Sequence, residues 1–128
     1  MPDYDEIIGK KIWAVVGASN DCTKYGHLIW RFLKNRGYTV YPVNPKEQKI
    51  DQDDCYPTVA DLPQKPDVVN VVVPPKTAVK VIEQCAAVNI QHVWLQPGAE
   101  SAEAEATGKR LGINVISDAC VMVEMRRG

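Results

Sequence analysis

The chain is expected to fold as an α/β domain, with a five-stranded parallel sheet covered by helices on both faces. Two observations carry that expectation. Short apolar or β-prone runs recur five times along the sequence, and apolar runs without alternation mark strands buried on both faces. Most of these runs are separated by segments whose apolar residues repeat at helical spacing. A β-α-β alternation of this kind calls for parallel strands joined by crossover helices.

Ile12-Trp13-Ala14-Val15-Val16 opens the pattern, apolar throughout and stopped by Gly17. A polar loop follows, and then Leu28, Ile29, Phe32 and Leu33 recur on one helical face. Lys34, Arg36 and Gly37 close that helix, cations near its negative end and glycine as the stop. Residues 38–43 form a second β-prone run ending at Asn44-Pro45, and residues 45–66 are polar and proline-marked. Within them Thr58 is placed to cap a short turn over 59–62. The clearest buried strand is 68–73, ended by Pro74-Pro75. Ala78, Val79, Ile82, Cys85 and Ala86 give the next helix one apolar face. His92-Val93-Trp94-Leu95 is the fourth strand, 101–111 an Ala- and Glu-rich helix stopped by Gly112, and 113–116 the fifth strand before a tail over 117–128. With right-handed crossovers the expected strand order is 3-2-1-4-5. No repeat, low-complexity stretch or long linker divides the chain, so 1–128 is expected to be one domain.

Composition narrows the function classes. A net charge of −1 supplies no global positive field for a nucleic-acid backbone, and Arg126-Arg127 is too short a basic run to change that. The apolar runs are far too short to span a membrane. The acidic N-terminal residues do not resemble an export signal, so a cytoplasmic protein with reduced thiols is expected. Cys22, Cys55, Cys85 and Cys120 lie far apart, as do His27 and His92, which is not the close spacing of a structural metal site.

In parallel sheets ligands bind beyond the carboxyl ends of the strands, where the strand order reverses. The exits are Gly17-Ala18-Ser19-Asn20, Val43-Asn44-Pro45-Lys46, Val73-Pro74-Pro75-Lys76, Gln96-Pro97-Gly98-Ala99 and Ser117-Asp118-Ala119-Cys120, all rich in turn formers and small residues. At the first, Gly17 lets backbone approach an anion, Ser19 offers a hydroxyl, and Gly26 stands by the helix start, whose amides attract phosphate. Gly17 and Gly26 are nine positions apart, too far for the compact G-x-G-x-x-G form. The second exit carries Lys46 where a nicotinamide dinucleotide site wants an acid for the ribose hydroxyls. A cation there favours ligands with a phosphorylated ribose, NADP or coenzyme A, although a lysine is most often just a solvated surface residue.

Taken together these residues resemble the coenzyme-A-binding domain family of small stand-alone proteins, which are similar to the N-terminal domain of the succinyl-CoA synthetase α subunit. The matching segments are Ala14-Val15-Val16-Gly17-Ala18-Ser19, Lys24-Tyr25-Gly26, residues 37–46, Val71-Val72-Val73-Pro74-Pro75, residues 93–99 and residues 118–124. The resemblance implies a Rossmann-like fold and a coenzyme A or acyl-CoA site. It implies that Gly17, Ala18, Ser19 and Gly26, with Lys24 and Tyr25 beside them, line the phosphates. Asn44, Pro45 and Lys46 would face the adenosine end, and Pro74, Pro75, Gln96, Pro97 and Gly98 would border the nucleotide or pantetheine path. Two departures stand out: residues 20–24 stretch the glycine turn, and the synthetase's phosphorylated catalytic histidine has no counterpart.

Other candidates carry less. Cys120 lacks a basic neighbour in sequence to lower its pKa and is expected as a small buried residue. His27 either donates to phosphate or faces water. Ser19 has no G-x-S-x-G elbow around it, and Trp13, Trp30 and Trp94 are expected in the core or a subunit contact. The expected function is therefore coenzyme A binding without catalysis, with no catalytic residue and no metal. The alternatives are an NADP-linked oxidoreductase, for which no Tyr/Lys pair at i, i+4 serves as proton donor, or an interaction protein that kept the fold and lost its nucleotide. A homodimer is compatible with each.

Overall fold

The computed structural model describes residues 4–127. Residues 1–3 and 128, the outermost parts of the expected acidic N-terminus and C-terminal tail, lie outside the described residues. The elements in chain order are α1 (Tyr4–Ile8), β1 (Ile12–Val16), α2 (Tyr25–Asn35), β2 (Thr39–Val43), β3 (Lys49–Ile50), β4 (Asp53–Asp54), a 3-10 turn (Val59–Asp61), β5 (Val68–Val71), α3 (Pro75–Ala87), β6 (His92–Leu95), α4 (Ala102–Arg110), β7 (Asn114–Ile116) and α5 (Val121–Arg127). Five strands make one parallel sheet, ordered β2-β1-β5-β6-β7. The α/β class and the five-stranded parallel sheet between helices are as expected.

Alternation along the strands feeds two cores. Trp13 and Val15 of β1 point to one side, where Ile29, Trp30 and Leu33 of α2 and Val121 and Met125 of α5 meet them. Ala14 and Val16 point to the other, against Val81, Ile82 and Cys85 of α3 and Ala104 of α4. All three tryptophans are core residues, at most 1% exposed. The crossover helices end alike. Gly37, Asn89 and Gly112 adopt left-handed φ values of 89°, 62° and 75°. Behind each, two amides reach back to the last turn, as in Tyr38 N–H to Leu33 O and Gly37 N–H to Lys34 O. This closes the orphan carbonyls and aims the chain into the next strand.

The strand order departs from expectation by one placement. Counting the five long strands alone it is 2-1-3-4-5, whereas 3-2-1-4-5 would put the 68–73 run outside β2. Instead β5 pairs directly with β1, Trp13 opposite Val68 and Val16 opposite Val71. The reason is legible at Pro42. It has no amide to offer a neighbouring strand, which suits an edge. That edge is closed by a passing loop, with Tyr56 N–H donating to Pro42 O and Asn44 N–H to Tyr56 O. Both orders reverse at β1, and here the crevice falls between β1 and β5.

Three further differences are local. The polar segment holds the β3–β4 hairpin, turned at Asp51 with φ 52°. The expected tail contains α5, and Thr58 donates its hydroxyl to Asp61 Oδ2 (2.8 Å) rather than capping the turn's amides. Regular β5 ends at Val71, two residues early, although Val72 N–H still donates to Val16 O.

Candidate functional site

The carboxyl ends of β1 and β5 part at Gly17 and Val72, and a cleft of about 500 Å³ opens there. Its lining comes from Gly17, from residues 23–26 at the start of α2, from 72–75 leading into α3, and from 97–99 after β6. No carboxylate, imidazole or thiol lies among these residues.

Close backbone packing builds the cleft. Gly17 has φ 99°, and a Cβ on it would sit 3.0 Å from Val72 O and Val73 Cγ1. A Cβ on Gly26 would lie 1.9 Å from Gly17 O. Gly26 is the second residue of α2, so the helix start is pressed against the glycine turn. Its expected place just before the helix shifts accordingly, and packing alone demands the glycine.

Lys24, the N-cap of α2, supplies no side-chain cap, nor does Pro74, the N-cap of α3. Two helix starts with uncapped amides therefore border one cleft, each carrying the partial positive charge of its helix. Lys24 adds a full charge to the lining, and Lys76 stands exposed in the first turn of α3. The ion pairs among the described residues are Arg31–Asp51, Lys34–Asp53 and Lys49–Asp54, so Lys24, Lys46 and Lys76 are in none of them. Converging amides and cations on a ligand-sized hollow are the physical requirements of a phosphate site.

The stretched loop over 19–24 is tied at nearly every residue. Ser19 Oγ accepts from Asp21 N–H (3.0 Å), and Asp21 Oδ1 accepts from Thr23 N–H (3.0 Å) and from the Thr23 hydroxyl (2.6 Å). Those two bonds hold the Asp21 carboxyl below the usual carboxylate range. His27, 5% exposed, donates Nδ1–H to Ser19 O (2.8 Å) and packs edge-on against Trp30. It faces neither water nor the cleft, in contrast to both expectations for it. The imidazole is a strut under the loop.

Of the expected site residues, Gly17, Lys24, Tyr25, Gly26, Pro74, Pro75, Pro97 and Gly98 come together in the cleft lining. Ala18 is fully buried, and its carbonyl accepts from Asn44 Nδ2 (2.9 Å). Ser19 turns its hydroxyl oxygen into the loop, as described. Asn44 Oδ1 accepts from Lys46 N–H (2.9 Å), so Lys46 is at the same sheet edge, two links from Ala18. Pro45 lines a neighbouring hollow of about 440 Å³ with Glu47, Asp54, Cys55 and Tyr56. Gln96 is 3% exposed and bonded inward: its Oε1 accepts from Val121 N–H (2.9 Å) and Asn70 Nδ2 (3.2 Å), and its Nε2 donates to Cys120 Sγ (3.3 Å). It fastens α5 to the sheet instead of bordering the cleft. The Gly98 amide is already taken by Glu100 Oε2 (2.8 Å).

Thr23 lines the cleft without having been singled out by sequence, and Val72, Val73 and Ala99, which sequence named only within strand exits or matching segments and not as site residues, line it too. Val72 carried a usable signal, since the residue after Val71 stands level with Gly17 once β1 and β5 are paired. Cys120 is partly exposed rather than buried, whereas burial pushes the Cys85 thiol up to about 12 and raises Cys55. Among the described residues no group of three or more His, Cys, Asp and Glu is placed to hold a metal ion, and no helix is long and apolar enough to cross a membrane.

Comparison with known proteins agrees with this geometry. The profile of the CoA binding domain matches residues 11–126. The ADP-forming acetate–CoA ligase I of Archaeoglobus fulgidus is 35% identical over 121 residues, covering 87% of this chain but 18% of that enzyme. The chain therefore spans under a fifth of the length of that relative. A hypothetical protein from Pyrococcus horikoshii superposes with a TM-score of 0.91 at 32% identity, covering 97% of this chain and 87% of that one. The dinucleotide-forming acetyl-coenzyme A synthetase 1 of Ca. Korarchaeum cryptofilum, solved in complex with phosphate and ADP, gives a TM-score of 0.74 at 31% identity over 90% of this chain and 27% of its own. With the profile matched from the first strand to the last helix, the chain belongs to the CoA binding domain family.

Proposed function

We propose that the cleft binds coenzyme A or an acyl-CoA and that the domain performs no chemistry of its own. The observation that carries this reading is the meeting of two uncapped helix starts, α2 and α3, with Lys24 at the divergence of β1 and β5. Anionic oxygens are stabilised there by fixed amides, without reorganisation of the protein. Val72, Val73, Pro74, Pro75 and Pro97 provide an apolar wall for the pantetheine arm. The ribose phosphate lies toward exposed Lys46 at the end of β2. The absence of a carboxylate, imidazole or thiol from the lining supports binding without acid–base or nucleophilic catalysis.

Isothermal titration and thermal unfolding with coenzyme A, dephospho-coenzyme A and NADP test the proposal. Coenzyme A at a hundredfold excess over its dissociation constant should stabilise the fold by about 2.7 kcal/mol, with no effect from NADP. Lys46→Ala should weaken coenzyme A several-fold while leaving dephospho-coenzyme A nearly unchanged. Absence of any shift at millimolar coenzyme A overturns the reading, and equal losses for both ligands overturn the placement of Lys46.

A further inference from the structure

The loop that borders the cleft is anchored from outside it. Asn20 spends its whole side-chain amide on a single distant segment: Nδ2 donates to Lys49 O (2.7 Å) and to Glu47 Oε2, and Oδ1 accepts from Asp51 N–H (3.0 Å). These partners are 27 to 31 residues away, on the β3–β4 hairpin and the residue leading to it. Three residues further along the loop, Thr23 enters the cleft lining, followed by Lys24, Tyr25 and Gly26.

The hairpin is in turn tied to α2. Arg31 pairs with Asp51 (2.8 Å) and Lys34 with Asp53 (2.5 Å). Both pairs are substantially exposed, with side chains 35–55% accessible, and contacts of this kind are weak and screened by salt. The amide link is different in kind. Its three bonds are directional, and its position is fixed by the hairpin backbone at Lys49 and Asp51 rather than by long, mobile side chains.

We infer that Asn20 is a positioning residue for the cleft, through which the β3–β4 hairpin holds the 19–24 loop in its binding shape. Its importance for ligand affinity rests on the coenzyme A reading; the mechanical link to the loop does not. Asn20 itself is exposed and absent from the cleft lining, so it acts on the ligand only by setting where Thr23, Lys24 and the first amides of α2 stand. A loop ordered in advance does not lose that conformational freedom on binding. Releasing it should cost affinity without removing any ligand contact.

The experiment compares wild type with Asn20→Ala, Glu47→Ala and Asp51→Asn in two measurements. The first is amide hydrogen exchange without ligand at Asp21, Thr23 and Lys24, whose N–H groups are bonded within the loop. The second is coenzyme A titration at low and high salt. Asn20→Ala should speed exchange at those amides but not in β1, and should weaken coenzyme A about tenfold, comparable to one net hydrogen bond. Glu47→Ala breaks a single bond of the link and should have a smaller effect in the same direction. Asp51→Asn keeps the backbone N–H that Asn20 accepts while abolishing the charge paired with Arg31, so it should bind within about twofold of wild type. Unchanged exchange in Asn20→Ala overturns the link, and so does a loss in Asp51→Asn as large as in Asn20→Ala. Faster exchange with unchanged affinity overturns the positioning role. If wild type itself fails to bind coenzyme A, the functional reading falls, while the exchange data still decide the link. Should Asn20→Ala not fold, Glu47→Ala carries both measurements.

Discussion

Gly17 and Gly26 show how a residue suggestive of ligand binding can be required first by packing. Their nine-residue separation does not fit a compact phosphate fingerprint, yet in space a Cβ on Gly26 would nearly coincide with the Gly17 carbonyl oxygen, 1.9 Å away. Neither backbone can yield without moving the start of α2 off β1. Gly26→Ala is therefore expected to destabilise the fold by at least about 3 kcal/mol even without ligand, the upper range for overpacking, as read from urea unfolding. Loss of coenzyme A binding in that variant would say nothing about contact, and the left-handed φ of 99° puts Gly17 under the same restriction. Pro74, Pro75 and Pro97 were legible from sequence because strand exits announce themselves locally, whereas Lys24 and Tyr25 were reached through the family resemblance. His27 and Gln96 were not legible, since a polar side chain's distant partner cannot be read from its neighbours, and the Ser19 hydroxyl oxygen is taken by Asp21 N–H two residues on. His27 and Gln96 turned inward to bond Ser19 O and Val121 N–H, eight and 25 residues away.

At the scale of elements, the crossover helices were readable and the short pieces were not. α4 illustrates the first. Ser101 precedes an Ala- and Glu-rich run, and its Oγ accepts from Ala104 N–H (3.0 Å) as the N-cap. Ser101→Ala should cost about 1 kcal/mol of stability in chemical denaturation, while coenzyme A affinity stays as in wild type because Ser101 is outside the cleft lining. α5 illustrates the second. Its seven residues make barely two turns, too few for a helical period to stand out, and Val121 and Met125 are recognisable as one face only once they are seen in the core with Trp94. The β3–β4 hairpin has two residues per strand. Its turn residue Asp51 takes a left-handed φ that aspartate tolerates better than most residues but does not advertise.

The whole molecule adds long-range electrostatics and topology. His92 opens β6 at the edge of the sheet opposite the cleft, with Asn114 Nδ2 donating to its Nδ1 (3.2 Å). Partial burial lowers its pKa from 6.5, the Lys10 charge lowers it further, and Glu6 and Asp67 oppose the shift. The unfolded chain therefore binds the proton more readily than the folded one, so this contribution is present above 6.5 and is lost as pH falls through the depressed folded value. Urea midpoints should drop as pH falls below 6.5, and His92→Gln should flatten the drop; an unchanged slope in the variant would show that other groups control it. As for topology, apolar period, turn residues and helix stops are short-range properties, written into consecutive residues by sterics and solvation. They were enough to reveal an α/β chain, its five long strands and the sheet edge at which the cleft opens. Which side of β1 receives β5, whether an amide such as Gln96 faces ligand or core, and that Asn20 fastens a loop to a hairpin some 30 residues later depend on which distant surfaces become neighbours. No local preference encodes that choice, because it follows from burying two apolar faces at once and answering each buried polar group.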